Sequence, residues 1–402
     1  MPVRPSNSMR PETMRRHNER LVLTLLRRDG PLARSALAQA SGLTPQSMSN
    51  IVRDLLARGL IAAEGRVRGR IGQPSVPLSL APGGAFFLGL QVGRRSARMV
   101  LIDFAGAILG QRERRHPQAV PHPDTVLAFA TDAAAELTAS LPPEAQARVG
   151  GLGIAMPFRM WDWGDAFAPW QGRDLRAEAE VATGLPAWLE NDASCACAAE
   201  LIFGRRDLPD DFLHVYIGHY AGGGLVLGGR LWLGPRGNAG AIGSTPVPGG
   251  PPALAVPGAA AGAAHAGVTQ LLQRASLAAL EVRAGRELPQ GDPVPDWPLA
   301  PAVRARWSAE AGEAIAFAAL SAATILDLEA VVIDGAFAPA LRTEVVAEVG
   351  RALSRLPSAG VVLPEILGGT MGAPARAIGA AGLPLAEGYL LEVISPSPAT
   401  GG

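Results

Sequence analysis

Gln46, Ser49, Asn50 and Arg53 carry the first chemistry this chain offers, because amide, hydroxyl and guanidinium groups match the donor and acceptor pattern of base edges in the DNA major groove. They share one helical face because Met48, Ile51, Val52, Leu55 and Leu56 take the other at the i, i+3, i+4, i+7, i+8 spacing of an amphipathic helix. Thr44 is placed to cap that helix, Pro45 suits its first position, and Gly42 can take the positive φ of a sharp turn after a preceding helix. Ser47 beside the cap, and Arg34 and Ser35 on the preceding helix, extend the same candidate surface. Downstream, Leu60 and Ile61 start a short strand, Gly65 permits a turn, and Val76, Leu78 and Leu80 alternate on the way back. Arg66, Arg68 and Arg70, followed by Gln73, then belong to a basic hairpin. Helix, turn, helix and basic wing in this order predict a reader of double-stranded DNA, against the blander reading of a solvated loop beside a helical scaffold.

The charge distribution fits a DNA-binding module joined to a different body. Residues 1–75 hold 13 Arg against 5 acidic residues, which leaves 23 of the 36 basic and 31 of the 36 acidic residues to the remainder. A basic module supplies phosphate attraction, while an acidic partner keeps the rest of the molecule off the duplex. Arg15, Arg16, Arg20, Arg27 and Arg28, on or beside the first helix, are candidate backbone contacts or solvated surface.

With 402 residues, 48% of them hydrophobic, the chain can bury large cores in two or three domains. The first twenty residues lack an apolar secretory core and no run reads as a membrane span, so a cytoplasmic, nucleoid-associated protein is expected. Cys195 and Cys197 lie two apart on a helical stretch and point in different directions, which predicts small buried residues in place of a metal knuckle or disulfide. His214, His219 and His265 show no ligand spacing and read as ordinary polar residues. Gly and Pro, concentrated after position 234, predict long loops in the second half.

From residue 83 strands and helices alternate. AFFLGLQVG and ARMVLIDFAG read as paired strands, VGGLGIAMP and PAWLEND as further strands, and DTVLAFATDAAAELTASL, DLRAEAEVATG and ASCACAAELIFG as helices. A second α/β unit starts at FLHVYIG, passes a glycine-rich segment, and continues through AEAGEAIAFAALSAATILD and EAVVIDG to GAPARAIGAAGLPL.

Several of these segments, in this order, resemble the ROK family of repressors, open reading frames and sugar kinases: the winged-helix stretch, GQPSVPLSLAPGGAFFLGLQVG, ENDASCACAAELIFG, GHYAGGGLVLGGRLWLGPRGNAGAIGS and VVIDGAFAPAL. The resemblance covers nearly the whole chain. It implies an α/β protein with an N-terminal winged helix-turn-helix followed by a two-lobed, actin-like (ribonuclease H-like) body of the ATPase type. Boundaries consistent with it are 1–82 for the DNA-binding domain, 83–200 for the first lobe with 376–402 packed back on it, and 201–375 for the second lobe, carrying effector and oligomer contacts. It further implies a homodimer or homotetramer and control of sugar metabolism by a small-molecule effector.

Departures from the family pattern bear on chemistry. The family's kinases open their first lobe with Asp-x-Gly-Gly-Thr, whereas this chain reads Gln91, Val92, Gly93, Arg94, Arg95, replacing the small residues of a phosphate cradle and lacking its carboxylate. Gly222, Gly223 and Gly224 persist, as either a nucleotide loop or a tight strand turn. Sugar-binding members carry Gly-Glu-Ile-Gly-His and a cysteine zinc knuckle. Here Gly240, Ala241, Ile242, Gly243 and Ser244 are followed by a cysteine-free stretch, so no zinc and no other cofactor is expected. Asn191 and Asp192 match the family's sugar-contacting pair, in which the Asp serves the kinases as general base. Without a phosphate site they are expected to accept ligand hydrogen bonds or to anchor a helix start. Trp161, Trp163 and Trp170 fall in a segment that in the family flanks the cleft, and with Ser244 complete the expected ligand set, either stacking on a ligand or plugging the cleft. The expectation is a catalytically inactive, effector-controlled repressor; the alternatives are a sugar kinase and an effector-independent DNA binder.

Overall fold

The described residues open with α1 (Pro11–Asp29), β1 (Leu32–Ala33), α2 (Arg34–Ser41), α3 (Pro45–Ala57), β2 (Ile61–Ala63) and β3 (Pro77–Leu80). The computed structural model describes residues 11–65, 76–116, 121–158, 165–249, 267–289, 294 and 296–395. Arg66, Arg68, Arg70 and Gln73 lie outside the described residues, as do Trp161, Trp163 and His265. The three strands pair antiparallel in the order β1-β3-β2. Gly42 closes α2 at φ 68°, and the Thr44 side chain accepts the Ser47 N–H to cap α3. Met48, Ile51, Val52 and Leu55 are buried as the periodicity predicts, but Leu56 is 37% exposed. At about 100° per residue it lies about 80° from Met48, at the margin of the apolar stripe.

The first lobe contains β4 (Phe86–Val92), β5 (Ser96–Asp103), β6 (Ile108–Arg115), α4 (Pro123–Ala139), α5 (Pro143–Gln146), β7 (Val149–Met156), α6 (Leu175–Thr183), β8 (Ala187–Asn191) and α7 (Asp192–Phe203). Its sheet has the order β6-β5-β4-β7-β8, antiparallel through β6, β5 and β4 and parallel through β4, β7 and β8. Both faces of the central strands are covered. Leu88, Leu90, Met99 and Leu101 pack with Val126 and Ala130 of α4, while Phe87, Val100 and Ile102 point to the opposite core.

The second lobe contains β9 (Phe212–Ile217), β10 (Ala221–Leu227), β11 (Arg230–Trp232), β12 (Pro246–Pro248), β13 (Val268–Gln270), α8 (Leu271–Ala275), α9 (Leu277–Ala284), α10 (Pro301–Leu326), β14 (Ala330–Gly335), α11 (Pro339–Leu353) and β15 (Glu365–Gly368). The order β11-β10-β9-β14-β15 repeats the first sheet's pattern, three antiparallel strands continued by parallel ones. Two such sheets give the actin-like, two-lobed body. α10 is long and apolar enough to cross a membrane, contrary to the sequence expectation, yet Trp307, Ala311, Ala314, Ile315, Ala318 and Ala319 are buried in this lobe's core. Its apolar length is that of a core helix.

The last helix, α12 (Ala375–Tyr389), returns to the first lobe and lies between its sheet and α7. Small residues permit this: a Cβ on Gly153 of β7 would stand 1.7 Å from the Ala380 carbonyl oxygen, and one on Gly379 would stand 1.7 Å from the Cys195 carbonyl oxygen. Pro384, four residues after Ala380, has no N–H to offer that carbonyl, so the backbone there is turned toward the sheet without a helical partner. The far end of α12 meets the winged helix. Arg20 donates to the Glu387 carbonyl, Leu391 N–H donates to Thr24 Oγ1 at 2.9 Å, and one continuous core joins Val22, Leu23 and Leu26 to Phe87, Phe104 and Leu385.

Candidate DNA interface and effector cleft

The outward face of α3 presents Gln46, Asn50 and Arg53 as exposed side chains, with Arg53 Nη2 donating to Asn50 Oδ1 at 3.0 Å. Arg34 and Ser35 are exposed at the start of α2. Ser47 and Thr44 are engaged in the cap, and Ser49 Oγ donates to the Pro45 carbonyl at 2.8 Å. The expected face therefore divides into an exposed amide and guanidinium set, in which Asn50 and Arg53 bond to each other, and a hydroxyl set that stiffens the helix start.

The arginines expected as phosphate contacts divide too. Arg20 is spent on α12, and Arg27 is turned inward, donating to the Phe104 and Ala105 carbonyls between the rings of Phe104 and Phe203. Burial pulls the Arg27 guanidinium down to about 10, still charged at neutral pH. Both fasten the winged helix to the body, correcting their reading as DNA contacts. Arg15 pairs with Glu19 and Asp54, Arg28 pairs with Asp29, and Arg16 remains exposed.

Of the residues expected to contact a ligand, Asn191 caps α7 by accepting the Ala193 N–H at 3.0 Å. Asp192 in the first turn receives Arg376 Nη1 at 3.0 Å, and the same guanidinium lies 5.3 Å over the Tyr216 ring. Tyr216 donates from its hydroxyl to the Gly372 carbonyl, and burial pushes that hydroxyl up to about 12. The carboxylate that would act as general base is thus held by a cation from the first turn of α12. Arg376 lies in a stretch that sequence reading treats only as the closing segment, and no local signal marks its partner.

The Gln91 to Arg95 turn reaches across to the second lobe. Arg94 Nη1 donates to the Tyr220 hydroxyl at 2.9 Å, and Arg95 makes two bonds of 2.8 Å to the Glu281 carboxylate. Burial, with Arg95 and Arg94 beside it, pulls His219 down to about 4, so its 3.8 Å approach to Glu281 joins a neutral ring to the carboxylate. Where a kinase needs a small-residue phosphate cradle, this chain has a guanidinium bridge between lobes.

Gly222, Gly223 and Gly224 form part of β10, paired with β9, and serve packing. A Cβ on Gly222 would meet Ala193 at 2.8 Å, and one on Gly224 would meet Cys197 at 2.4 Å. This corrects the expectation of a tight turn: the three glycines lie inside a paired strand, opposite Tyr216, Val215 and His214. Cys195 and Cys197 are free and buried. Ser244 is exposed in a short 3-10 turn beside β10. Trp170 corrects the expectation of an aromatic cleft wall: it is 2% exposed in the first-lobe core, its Nε1 donating to the Pro121 carbonyl at 2.9 Å. Its partners come from elements distant in sequence, so its clustering with two other tryptophans carries no information on where it points.

A winged helix fixed to two lobes of repeated sheet order defines a class, and the sequence agrees with it. Residues 15–62 match a winged helix-turn-helix DNA-binding family and residues 87–387 match the ROK family; the chain belongs to the ROK family. The protein y4fQ of Sinorhizobium fredii is 31% identical over 249 residues, 60% of each chain. The xylose repressor of Bacillus subtilis is 24% identical over 56% of this chain and 59% of its own. The chain thus spans about 60% of the length of these curated relatives. A solved ROK family transcriptional regulator, homologous to the Escherichia coli Mlc protein, superposes with a TM-score of 0.65 at 22% identity over 94% of this chain and 98% of that one, a likeness of fold.

Proposed function

We propose that this protein is a sequence-specific DNA-binding transcription regulator, a repressor released or engaged by a small-molecule effector, sugar-like or another metabolite, and that its body has no kinase activity. The observation that carries the reading is the capped α3, with Gln46, Asn50 and Arg53 outward on a winged helix that shares a core with a ROK body. The relatives' names, a xylose repressor and a transcriptional regulator, support it. Residues 1–82 read the operator as a homodimer or homotetramer in the cytoplasm, on the nucleoid; 83–200 with 376–402, and 201–375, form the two lobes around the effector cleft. Contacts from the Arg66, Arg68, Arg70 and Gln73 wing complete the interface.

Footprinting is expected to show two related half-sites about one helical turn apart or a multiple of it. Asn50→Ala is expected to lower discrimination between operator and mismatched duplex by about 1–3 kcal/mol, while Arg70→Ala weakens binding to all sequences and reduces the salt slope by about one unit. Duplex binding absent or insensitive to salt would remove the proposal.

The absence of kinase activity rests on two ion pairs. Arg95 is committed to Glu281 and Asp192 to Arg376, so among the described residues neither this guanidinium nor this carboxylate is left unpaired for a phosphate or a sugar hydroxyl. No ATP-dependent phosphorylation of hexoses or amino sugars is expected in a coupled assay. Turnover above the background of an Asp192→Asn variant would restore the enzymatic reading.

A further inference from the structure

A buried polar cluster adjoins the Asp192–Arg376–Tyr216 contacts, linked to them through Gly372, whose N–H donates to Asp334 and whose carbonyl accepts the Tyr216 hydroxyl. Glu200 of α7, His214 of β9 and Asp334 of β14 are each 0% exposed, and one donor atom from each lies within 4.8 Å of the others. The carboxylates are oriented from behind: Thr370 N–H, Thr370 Oγ1 and Arg205 N–H donate to Glu200, while Arg342 Nη1 and Gly372 N–H donate to Asp334. The imidazole has no such support, since among the described residues neither His214 Nδ1 nor Nε2 has a hydrogen-bond partner.

Asp334 is ion-paired with the Arg342 guanidinium, whereas among the described residues Glu200 has no such pair: its donors are the Thr370 N–H and hydroxyl and the Arg205 N–H, and a nitrogen of the His214 imidazole lies within 4.8 Å of one of its oxygens.

We propose that Glu200, His214 and Asp334 bind a first-row divalent transition metal of the Zn²⁺ type, linking α7 to the second-lobe sheet. Imidazole nitrogen with two carboxylate oxygens suits such a metal and is a poor set for Mg²⁺ or Ca²⁺, which take oxygen ligands. The backbone and hydroxyl donors behind each carboxylate, together with Arg342, hold the ligand oxygens in place. The site is separate from the family's cysteine knuckle and independent of the regulatory reading. Its ligands come from a helix and two strands far apart in the chain, which is why His214 shows no ligand spacing in sequence.

The full chain, purified without a polyhistidine tag, stripped with EDTA and dialysed against Zn²⁺ or Co²⁺, is expected to retain about one metal per chain. The Co²⁺ form is expected to show visible ligand-field absorption, and Zn²⁺ to raise the thermal midpoint. His214→Val, which keeps a strand-favouring side chain in β9, and Asp334→Asn, which keeps an acceptor for Gly372, are each expected to lower affinity roughly tenfold or more. Folding is checked by circular dichroism; if one variant fails to fold, the other and the wild-type cobalt spectrum carry the test. Uptake below about a tenth of an equivalent, as for a cluster filled by water alone, overturns the proposal. Uptake unchanged in the folded variants also overturns it.

Discussion

Gly379→Ala is expected to yield no soluble folded protein, and Gly153→Ala the same. In each case the new Cβ would lie 1.7 Å from a backbone carbonyl oxygen, Cys195 for the first and Ala380 for the second. Backbone cannot swing aside as the tip of a long side chain can, so α12 would have to lift from α7 or from β7. That movement would break the core shared with the first-lobe sheet and, at its ends, the Arg376–Asp192 pair and the Arg20 and Leu391 bonds to α1. A cost above about 4–5 kcal/mol is a large part of the roughly 5–15 kcal/mol that stabilises a domain. Gly350→Ala in α11 is the control. Among the described residues its Cβ would meet nothing within 4 Å, so the helix-propensity gain of about 0.5–1 kcal/mol is expected to raise the melting midpoint. Soluble yield and thermal melting of the three variants check this packing; a Gly379→Ala protein melting like the wild type would refute it.

The winged helix is legible in sequence because its signals are local. A cap, a proline at the first turn, a positive-φ glycine and a 3.6-residue stripe each act within a few positions, and Thr44, Pro45, Gly42 and Met48 all take the expected places. Buried strands such as β4, β7, β9 and β14 announce themselves as apolar runs. Two strands do not. β6 is exposed along nearly all its length and reads as polar Gln-Arg-Glu-Arg-Arg, while β10 contributes three glycines, which a side-chain pattern cannot see. Pairings between distant elements are equally invisible. Nothing around Arg27 tells that it faces Phe104 and Phe203, and nothing around Arg376 names Asp192; these contacts exist only after the helices pack. The departure of Gln91 to Arg95 from the family's kinase pattern is plain in the residues, whereas the bridge from Arg95 to Glu281 required the fold.

Asp192→Ala decides whether this carboxylate serves a ligand or the fold. The variant would leave the Arg376 guanidinium in a largely buried position with Tyr216 below it and no counter-charge. Breaking a buried pair from one side costs about 3–5 kcal/mol, and the residual solvent access of both side chains here places the expected loss near about 3 kcal/mol. Arg376→Met removes the stranded cation while keeping an apolar stem, so the double variant is expected to recover stability relative to Asp192→Ala alone. The coupling should fall within about 0.5–3 kcal/mol, measured by urea unfolding of the four proteins. Asp192→Ala and Arg376→Met losses that simply add would show that the pair does not hold α12. An effector that hydrogen-bonds Asp192 must share this carboxylate with Arg376, on the helix whose other end receives Arg20. Arg376→Met is therefore expected to leave effector binding measurable by thermal shift while abolishing its effect on operator affinity. Retention of the full effector response in that variant would mean that the signal reaches the winged helix by contacts other than α12.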